Sequence, residues 1–365
     1  MRLLVAGMTG QLGAGIAEVL PPDVTVVPVL RDRSAARHPV PPELRETAVR
    51  GDVLRPGWGL AEDDLAALAR DGVDAVVNLA GETNWAGRSA DLIRTNVLGA
   101  EHGYGLARRF GVPYVYASSI YVAGAMLGTV PEAPLPSGGD RTAYEQSKWL
   151  AEQRLWQLAA EPGAVPLLVT RVCALVGNSV TGKTLKRSSL YLLADRWNDL
   201  PAGILPVMRG ALVDALPRDQ AAEVLLRAVR AMADRRPDRP LVCHLGTGGT
   251  APSVRGLLDA AHALDPDRFR REPRTLPIAG RPMAWLTQNA DRFAALDPSW
   301  HNALIGLRYV ACERVFPRAV LAGLVGSDLP DGDAELLARL VFGVDRRSYD
   351  EPRELTASRM ARFPG

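Results

Sequence analysis

A tyrosine and a lysine four positions apart are the residues of this chain best suited to chemistry. Tyr144 and Lys148 open an apolar-periodic run that predicts a helix, on which residues four apart share one face. A cation beside a phenol favours the phenolate and makes the tyrosine a better proton donor or acceptor near neutral pH. Such a pair can protonate a carbonyl oxygen while a hydride reaches its carbon. Because the chain has only three lysines, this spacing is not expected by chance; the alternative is an ordinary surface helix.

A glycine-rich turn follows the first strand-like run, residues 2–7. Glycines three apart let the backbone turn tightly and approach a diphosphate. The helix expected to begin at this turn directs its N–H groups and positive dipole end toward that charge. We therefore predict dinucleotide binding by Gly7, Thr9, Gly10, Gln11, Leu12 and Gly13.

Two arginines follow the second predicted strand, residues 24–30, where an NAD-preferring protein would place a carboxylate for the ribose 2′-hydroxyl. The guanidinium groups of Arg31 and Arg33 suit a 2′-phosphate and predict NADP(H) as the cofactor. The alternative is a solvated basic loop, since Asp32 lies within the cluster.

Strand-like and helical patterns alternate along the rest of the first half, which indicates an α/β protein with a doubly wound parallel sheet. Ligands of such sheets lie beyond the carboxyl ends of the strands. Asp52 and Val53, at the end of the third predicted strand, are expected beside the adenine. Leu79, Ala80 and Gly81 form a turn expected under the cofactor, and Ser119 lies toward the carboxyl end of the fifth strand. The predicted strands are residues 2–7, 24–30, 49–53, 73–81, 112–122, 165–177 and 241–245, and the predicted helices include 61–70, 184–197 and 220–232.

From about residue 250 the pattern is helical, with frequent prolines. We predict a cofactor-binding domain over residues 1–182, to which 210–250 return. A smaller, mainly helical substrate domain is expected over 183–209 and 251–365.

Composition excludes several classes of function. The net charge of +2 gives no sign of nucleic-acid binding. Three widely spaced cysteines indicate reduced thiols, and no Cys/His cluster has metal-ligand spacing. No signal-peptide pattern and no apolar stretch of membrane-spanning length is present, so we expect a cytoplasmic protein.

Together, the glycine turn, Ser119 and the Tyr144/Lys148 pair resemble the extended short-chain dehydrogenase/reductases, which have a Rossmann-type fold. Less generic stretches are similar to the thioester reductases and fatty acyl reductases, the male-sterility-type branch. These stretches are residues 51–60, 78–85, 95–100, 144–149, 176–182 and 213–217.

The resemblance implies an NADPH-dependent reductase of an acyl thioester, carried by coenzyme A or a carrier protein, to an aldehyde or further to the alcohol. It implies that Ser119 binds the substrate carbonyl, Tyr144 protonates its oxygen, Lys148 lowers the tyrosine pKa and holds the nicotinamide ribose, and Asn96 orders a proton-relay water. Family members usually have proline after the arginine of the sixth strand, whereas Val172 follows Arg171 here.

Two other functions remain open at this stage. One is a ketone reductase or a sugar-nucleotide dehydrogenase, epimerase or dehydratase, which would use the same triad. The other is an NADP-binding regulator without chemistry. Lys183, Lys186 and Arg187 are expected near the substrate opening, where they could contact a phosphate or an acidic carrier, although a solvated helix face is the commoner origin of such a patch. We expect a monomer or a homodimer.

Overall fold

The structure is a computed structural model that describes residues 1–31, 40–83, 89–137, 141–185, 189–195, 197–200, 203–280, 282–283, 285 and 307–343. Of the predicted functional residues, Arg33, Lys186 and Arg187 lie outside this set.

A seven-stranded, wholly parallel sheet forms the centre of the fold, with strand order β11-β7-β5-β4-β1-β2-β3. This order confirms the predicted doubly wound α/β architecture, because the chain runs outward from β1 in both directions. The strands are β1 Arg2–Ala6, β2 Thr25–Leu30, β3 Val49–Arg50, β4 Ala75–Asn78, β5 Tyr114–Ser119, β7 Leu167–Val172 and β11 Leu241–Leu245.

Helices cover both faces of this sheet. Successive residues of a strand point to opposite faces, so Leu3 and Val5 of β1 enter one core while Leu4 and Ala6 enter another. The helices of the described residues are α1 Gln11–Val19, α2 Pro42–Glu46, α3 Glu62–Asp71, α4 Ser89–Ile93, α5 Gly99–Phe110, α6 Ala143–Ala159, α7 Ser189–Asp195, α8 Arg218–Arg235, α9 Val254–Leu264, α10 Ala319–Val325 and α11 Ala334–Val341.

A separate core lies beside the sheet. It joins α7, α9 and α11 to residues of 307–312, and its largest members include Tyr191, Trp197 and Phe269. Three two-stranded parallel pairs accompany it: β6 Gly128–Thr129 with β13 Arg314–Val315, β8 Ala174–Val176 with β10 Ala215–Pro217, and β9 Ile204–Met208 with β12 Arg274–Ile278.

The structure differs from the sequence expectation after residue 250 in two ways. Two short strands, β12 and β13, occur where only helix is expected, because each takes its backbone hydrogen bonds from a strand far earlier in the chain. Leu321 and Leu324 of α10 pack in the sheet's own core rather than in the separate one. The division of the chain at residue 182 stays a prediction.

Candidate active site

The first turn of α6 holds Tyr144 through a complete capping box. Thr142 accepts a hydrogen bond from the Glu145 backbone N–H at 3.3 Å, and the Glu145 carboxylate accepts one from the Thr142 N–H at 2.7 Å. Two N–H groups that have no partner inside the helix are therefore satisfied. The backbone on either side of Tyr144 is thus fixed by local bonds.

Tyr144 lies against the end of β5, where the Ser119 side chain adjoins its phenol. Ser119 accepts the Tyr121 N–H at 3.2 Å, which begins a short 3-10 turn. Burial raises the Tyr144 pKa to about 12, and the neighbouring Ser119 side chain opposes that rise. At neutral pH the phenol is therefore protonated and can donate.

Lys148 is buried one turn further along α6. Its ammonium donates to the Ala117 carbonyl at 3.0 Å and to the Tyr116 hydroxyl at 3.3 Å, and lies 4.9 Å from the Tyr116 ring centroid. Burial lowers the Lys148 pKa to about 8, while the Glu152 carboxylate acts to raise it. In this structure Ser119, rather than Lys148, is the neighbour that lowers the Tyr144 pKa.

Asn96 lies in a π-helical turn, Arg94–Leu98, between α4 and α5. Its side-chain amide donates to the Ser147 hydroxyl at 2.7 Å and to the Glu82 carbonyl at 3.2 Å, and its oxygen accepts the Glu82 N–H at 2.9 Å. A Cβ added to Gly81 would lie 2.9 Å from both the Asn96 oxygen and the Lys148 nitrogen. The Asn96 and Lys148 side chains therefore both lie close to the Gly81 backbone.

The glycine-rich turn has the close approaches that its sequence predicts. Gly7 has φ +93°, and a Cβ there would lie 2.5 Å from the Leu79 carbonyl carbon. A Cβ on Gly13 would lie 2.7 Å from the Gly7 oxygen. No side chain caps α1, whose N-cap is Gly10, and its first turn carries no acidic residue. This free helix start beside Leu79 and Ala80 suits a diphosphate.

The remaining predicted cofactor residues lie along the same edge of the sheet. Arg31 follows β2 and is exposed. The Asp52 N–H donates to the Trp58 carbonyl at 2.7 Å, and the Val53 carbonyl contacts His102 Nδ1 at 3.0 Å. Strand β3 ends two residues before Asp52, so this segment is a turn rather than the predicted strand end.

A buried charge cluster behind the site has no counterpart among the predicted residues. Glu152, four residues after Lys148, is paired with Arg171 at 2.8 and 3.1 Å and accepts the Ser118 hydroxyl at 2.6 Å. Arg171 also donates to the carbonyls of Pro131 and Ala133. The i, i+4 spacing from Lys148 puts Glu152 on the same helix side, but no sequence signal pairs it with β7.

A second arginine cluster links the start of α1 to the start of α8 and to Thr184. Arg218 pairs with Glu18 and donates to Gln11 at 3.2 Å, and Gln11 donates to the Thr184 hydroxyl. Lys183, next to Thr184, is exposed. Of the predicted basic patch, Lys183 therefore lies close to the glycine-rich turn, while its other two members lie outside the described residues.

Two kinds of feature are absent from the residues that the structure describes. No helix there is long and apolar enough to cross a membrane. Nor does that part of the chain hold a group of three or more His, Cys, Asp or Glu residues able to bind a metal ion.

The parallel sheet, the glycine turn and the buried tyrosine and lysine of α6 define a Rossmann-type oxidoreductase of the extended short-chain dehydrogenase/reductase class. The chain belongs to the male sterility protein family, whose NAD-binding model matches residues 33–225. A nicotinamide dinucleotide is therefore the cofactor class, and the cradle at Gly7 and Gly13 fits its diphosphate.

Two of the relatives of this chain are large synthases. The chain is 33% identical over 226 residues to the isonitrile lipopeptide synthase of Streptomyces coeruleorubidus, covering 56% of this chain and 15% of that protein. It is 31% identical over 182 residues to a component of the linear gramicidin synthase of Brevibacillus parabrevis, covering 48% of this chain and 4% of that protein. The chain thus spans at most 15% of the length of these relatives.

Among solved structures, the terminal R domain of the myxalamid PKS-NRPS pathway superposes with a TM-score of 0.69 at 22% identity, covering 94% of this chain and 89% of that one. At this identity the likeness establishes the fold.

Proposed function

We propose that this protein is an NADPH-dependent reductase of acyl thioesters, which it converts to aldehydes. The observation that carries the proposal is that the Ser119 and Tyr144 hydroxyls adjoin at the carboxyl end of β5, with Tyr144 on the helix that also carries the buried Lys148. The family match spans all three residues and supports the assignment.

Ser119 and Tyr144 are proposed to bind the carbonyl oxygen of the thioester. As the carbonyl carbon is reduced, negative charge develops on that oxygen, and two hydroxyl donors stabilise it. Because its pKa is about 12, Tyr144 holds its proton at neutral pH and can supply it to the oxygen. Loss of that O–H proton then restores the carbonyl as the C–S bond breaks. One thioester, one NADPH and one proton thus become an aldehyde, a thiol and NADP⁺.

The cofactor supplies the hydride when bound, and this chain's residues would hold it at three places. The glycine turn with the start of α1 would bind the diphosphate. Lys148, whose ammonium lies beside Gly81, would hold the nicotinamide ribose, and Asn96 would order the water of a proton relay. Arg31, together with Arg33, would bind the 2′-phosphate and set the preference for NADP(H).

The acyl group is proposed to arrive on a carrier-protein arm or on coenzyme A. Support comes from the synthases that contain the related segment and from the R domain that shares the fold. An acyl or peptidyl carrier protein is therefore a proposed partner.

A product-resolved NADPH-consumption assay tests the function. Acyl-coenzyme A, acyl carrier protein, free aldehyde and ketone substrates are compared, with the aldehyde trapped as it forms. We expect thioester-dependent NADPH oxidation with stoichiometric thiol release. The matched variants are Tyr144→Phe and Tyr104→Phe, the latter removing a buried hydroxyl that is bonded to the Val165 carbonyl away from the site. Turnover of ketones or sugar nucleotides without thioester reduction would refute the proposal.

A further inference from the structure

A segment near the C-terminal end of the described chain, residues 307–316, reaches the active site from the substrate side. The Met208 N–H donates to the Ala311 carbonyl at 2.8 Å, and the Gly128 N–H donates to the Glu313 carbonyl at 2.9 Å. Leu307, Val310 and Cys312 pack in the separate core. The segment, which lies beyond the 33–225 family match, is therefore fixed to the substrate-side structure.

From this segment, Arg308 pairs with Glu145 of α6. The Arg308 Nε lies 3.2 Å from Glu145 Oε1, and both side chains are buried, with 7% and 0% exposed. The other carboxylate oxygen of Glu145 holds the Thr142 N–H. The arginine thus contacts the residue next to Tyr144, through the carboxylate that closes the capping box.

The next residue, Tyr309, touches both sides of the Ser119–Tyr144 pair. Its buried hydroxyl lies beside the side chains of Thr142 and Glu145 at the start of α6. Its ring lies 3.9 Å, centroid to centroid, from the ring of Tyr121. Tyr121 is the residue whose N–H is bonded to the Ser119 hydroxyl.

Helix stability alone does not require this arrangement. The capping box already bonds two N–H groups at the start of α6, and these local bonds do not require the glutamate to be buried. Burying the Glu145–Arg308 pair carries a desolvation penalty, which an apolar pair of similar volume would avoid. What the pair does provide is a hydrogen-bonded contact between the 307–316 segment and the first turn of α6, which carries Tyr144.

We propose that Arg308 and Tyr309 are positioning residues for the reduction. They fix the first turn of α6 relative to the turn after β5. The Tyr144 and Ser119 hydroxyls are thereby directed at the same atom, the carbonyl oxygen of the substrate. The inference rests on the proposed function, because it assigns the role of these residues in that reaction.

Kinetics of three variants test the role. Arg308→Met/Glu145→Gln removes both charges while leaving an amide able to close the capping box. Tyr309→Phe removes one hydroxyl only. Arg308→Met alone removes the cationic partner of the buried Glu145 carboxylate, and we expect this variant to be the least stable of the three. We expect kcat of the double variant to fall about 10- to 100-fold, and that of Tyr309→Phe by roughly 3- to 10-fold, because a displaced donor is costly. The KM for a free aldehyde and the Kd for NADPH should stay within about twofold, since neither residue is assigned to binding.

Arg154→Met is the matched control, because it breaks an ion pair with Glu101, 2.6 Å long, further along the same helix. It should leave kcat unchanged. Amide hydrogen exchange provides a readout that needs no activity: exchange at residues 143–147 should quicken about tenfold in the double variant and not in the control.

Wild-type kcat in both the double variant and Tyr309→Phe would overturn the proposal, as would unchanged exchange at residues 143–147. A wild-type protein that reduces no thioester or aldehyde would instead refute the proposed function, while the exchange measurement would still test the link to α6.

Discussion

Two helices begin at this site, and their first turns are built in opposite ways. The start of α1 has Gly10 as its N-cap, with no side-chain cap and no acidic residue, so its N–H groups remain available for a ligand. The start of α6 is closed by a capping box, and its carboxylate is neutralised by Arg308. Free N–H groups at a helix start are suited to binding an anion, whereas side-chain caps leave fewer of them available.

An arginine from later in the chain nevertheless supports each helix. Arg218 contacts Gln11 and Glu18 of α1, and Arg308 contacts Glu145 of α6. The difference lies in what the contact leaves available. Arg218 contacts the side chains of Gln11 and Glu18, and no side chain caps the N–H groups at the start of α1. We infer that side-chain contacts hold α1 while the N–H groups of its start stay open to the cofactor. The start of α6 is itself held so that Tyr144 does not move.

The largest expected effect is a loss of turnover on replacing Tyr144, in the capped first turn of α6. Tyr144→Phe should lower kcat by about 10²- to 10⁴-fold, because a positioned general acid is lost. The Kd for NADPH, measured by fluorescence titration, should change little. Tyr104→Phe, the remote control, should have wild-type kcat. A Tyr144→Phe enzyme with near-normal turnover would show that another group donates the proton.

At the open helix start the expected effect falls on binding and stability. Gly13→Ala places a Cβ 2.7 Å from the Gly7 oxygen, so the turn must shift. We expect a loss of about 3 kcal/mol in unfolding free energy or in NADPH binding. Gly105→Ala is the control: it is a helix position in α5 where a Cβ meets nothing within 4 Å. It should gain about 0.5–1 kcal/mol of stability by helix propensity. Equal behaviour of the two variants would mean that the glycine turn is not closely packed.

The preference for NADPH over NADH is tested at Arg31, which follows β2 at the same edge of the sheet as the glycine turn. Arg31→Ala should weaken NADPH binding by about 1.5–3 kcal/mol, the usual worth of a charged hydrogen bond, and should leave NADH binding nearly unchanged. Isothermal titration with both cofactors measures the difference. Equal affinities of the wild-type protein for NADPH and NADH would contradict the assignment.

The smallest effect is a pH dependence that originates in Lys148. Since its pKa is about 8, the ammonium is lost as the pH rises through that value. The kcat/KM for NADPH, which reports groups of the free enzyme, should therefore be about tenfold lower at pH 9 than at its plateau. Lys148→Met should have a lower kcat/KM for NADPH that does not decrease further between pH 8 and 9. The same decrease in the variant would show that another group causes it.

Stability should change in the opposite direction over the same range. The folded pKa of Lys148 lies below the ordinary lysine value of 10.5, so between pH 8 and 10.5 the unfolded chain binds more protons at this site. The contribution of Lys148 to stability therefore rises with pH in that window. Thermal unfolding of the wild type and Lys148→Met, compared at pH 7 and 9.5, isolates it.

Local patterns in the sequence determined much of this molecule. The strand at residues 241–245 has its predicted bounds, and the helix predicted at 220–232 occurs as Arg218–Arg235. Strand and helix periods depend on residues a few positions apart, which a single sequence displays. The glycine turn, Ser119 at a strand end and the shared helix of Tyr144 and Lys148 were predictable for the same reason, although their roles in catalysis stay predictions.

Only the tertiary structure decided which distant charges meet. Glu145 and Arg308 are 163 residues apart, and Glu18 and Arg218 are 200 apart, so no local spacing could pair them. The pKa order at the site also depends on burial: burial lowers that of Lys148 to about 8 and raises that of Tyr144 to about 12. Two-residue strands such as β13 exist because β6 supplies their hydrogen bonds. The sequence contains the groups that can act, whereas the packing of remote segments sets their partners and their protonation.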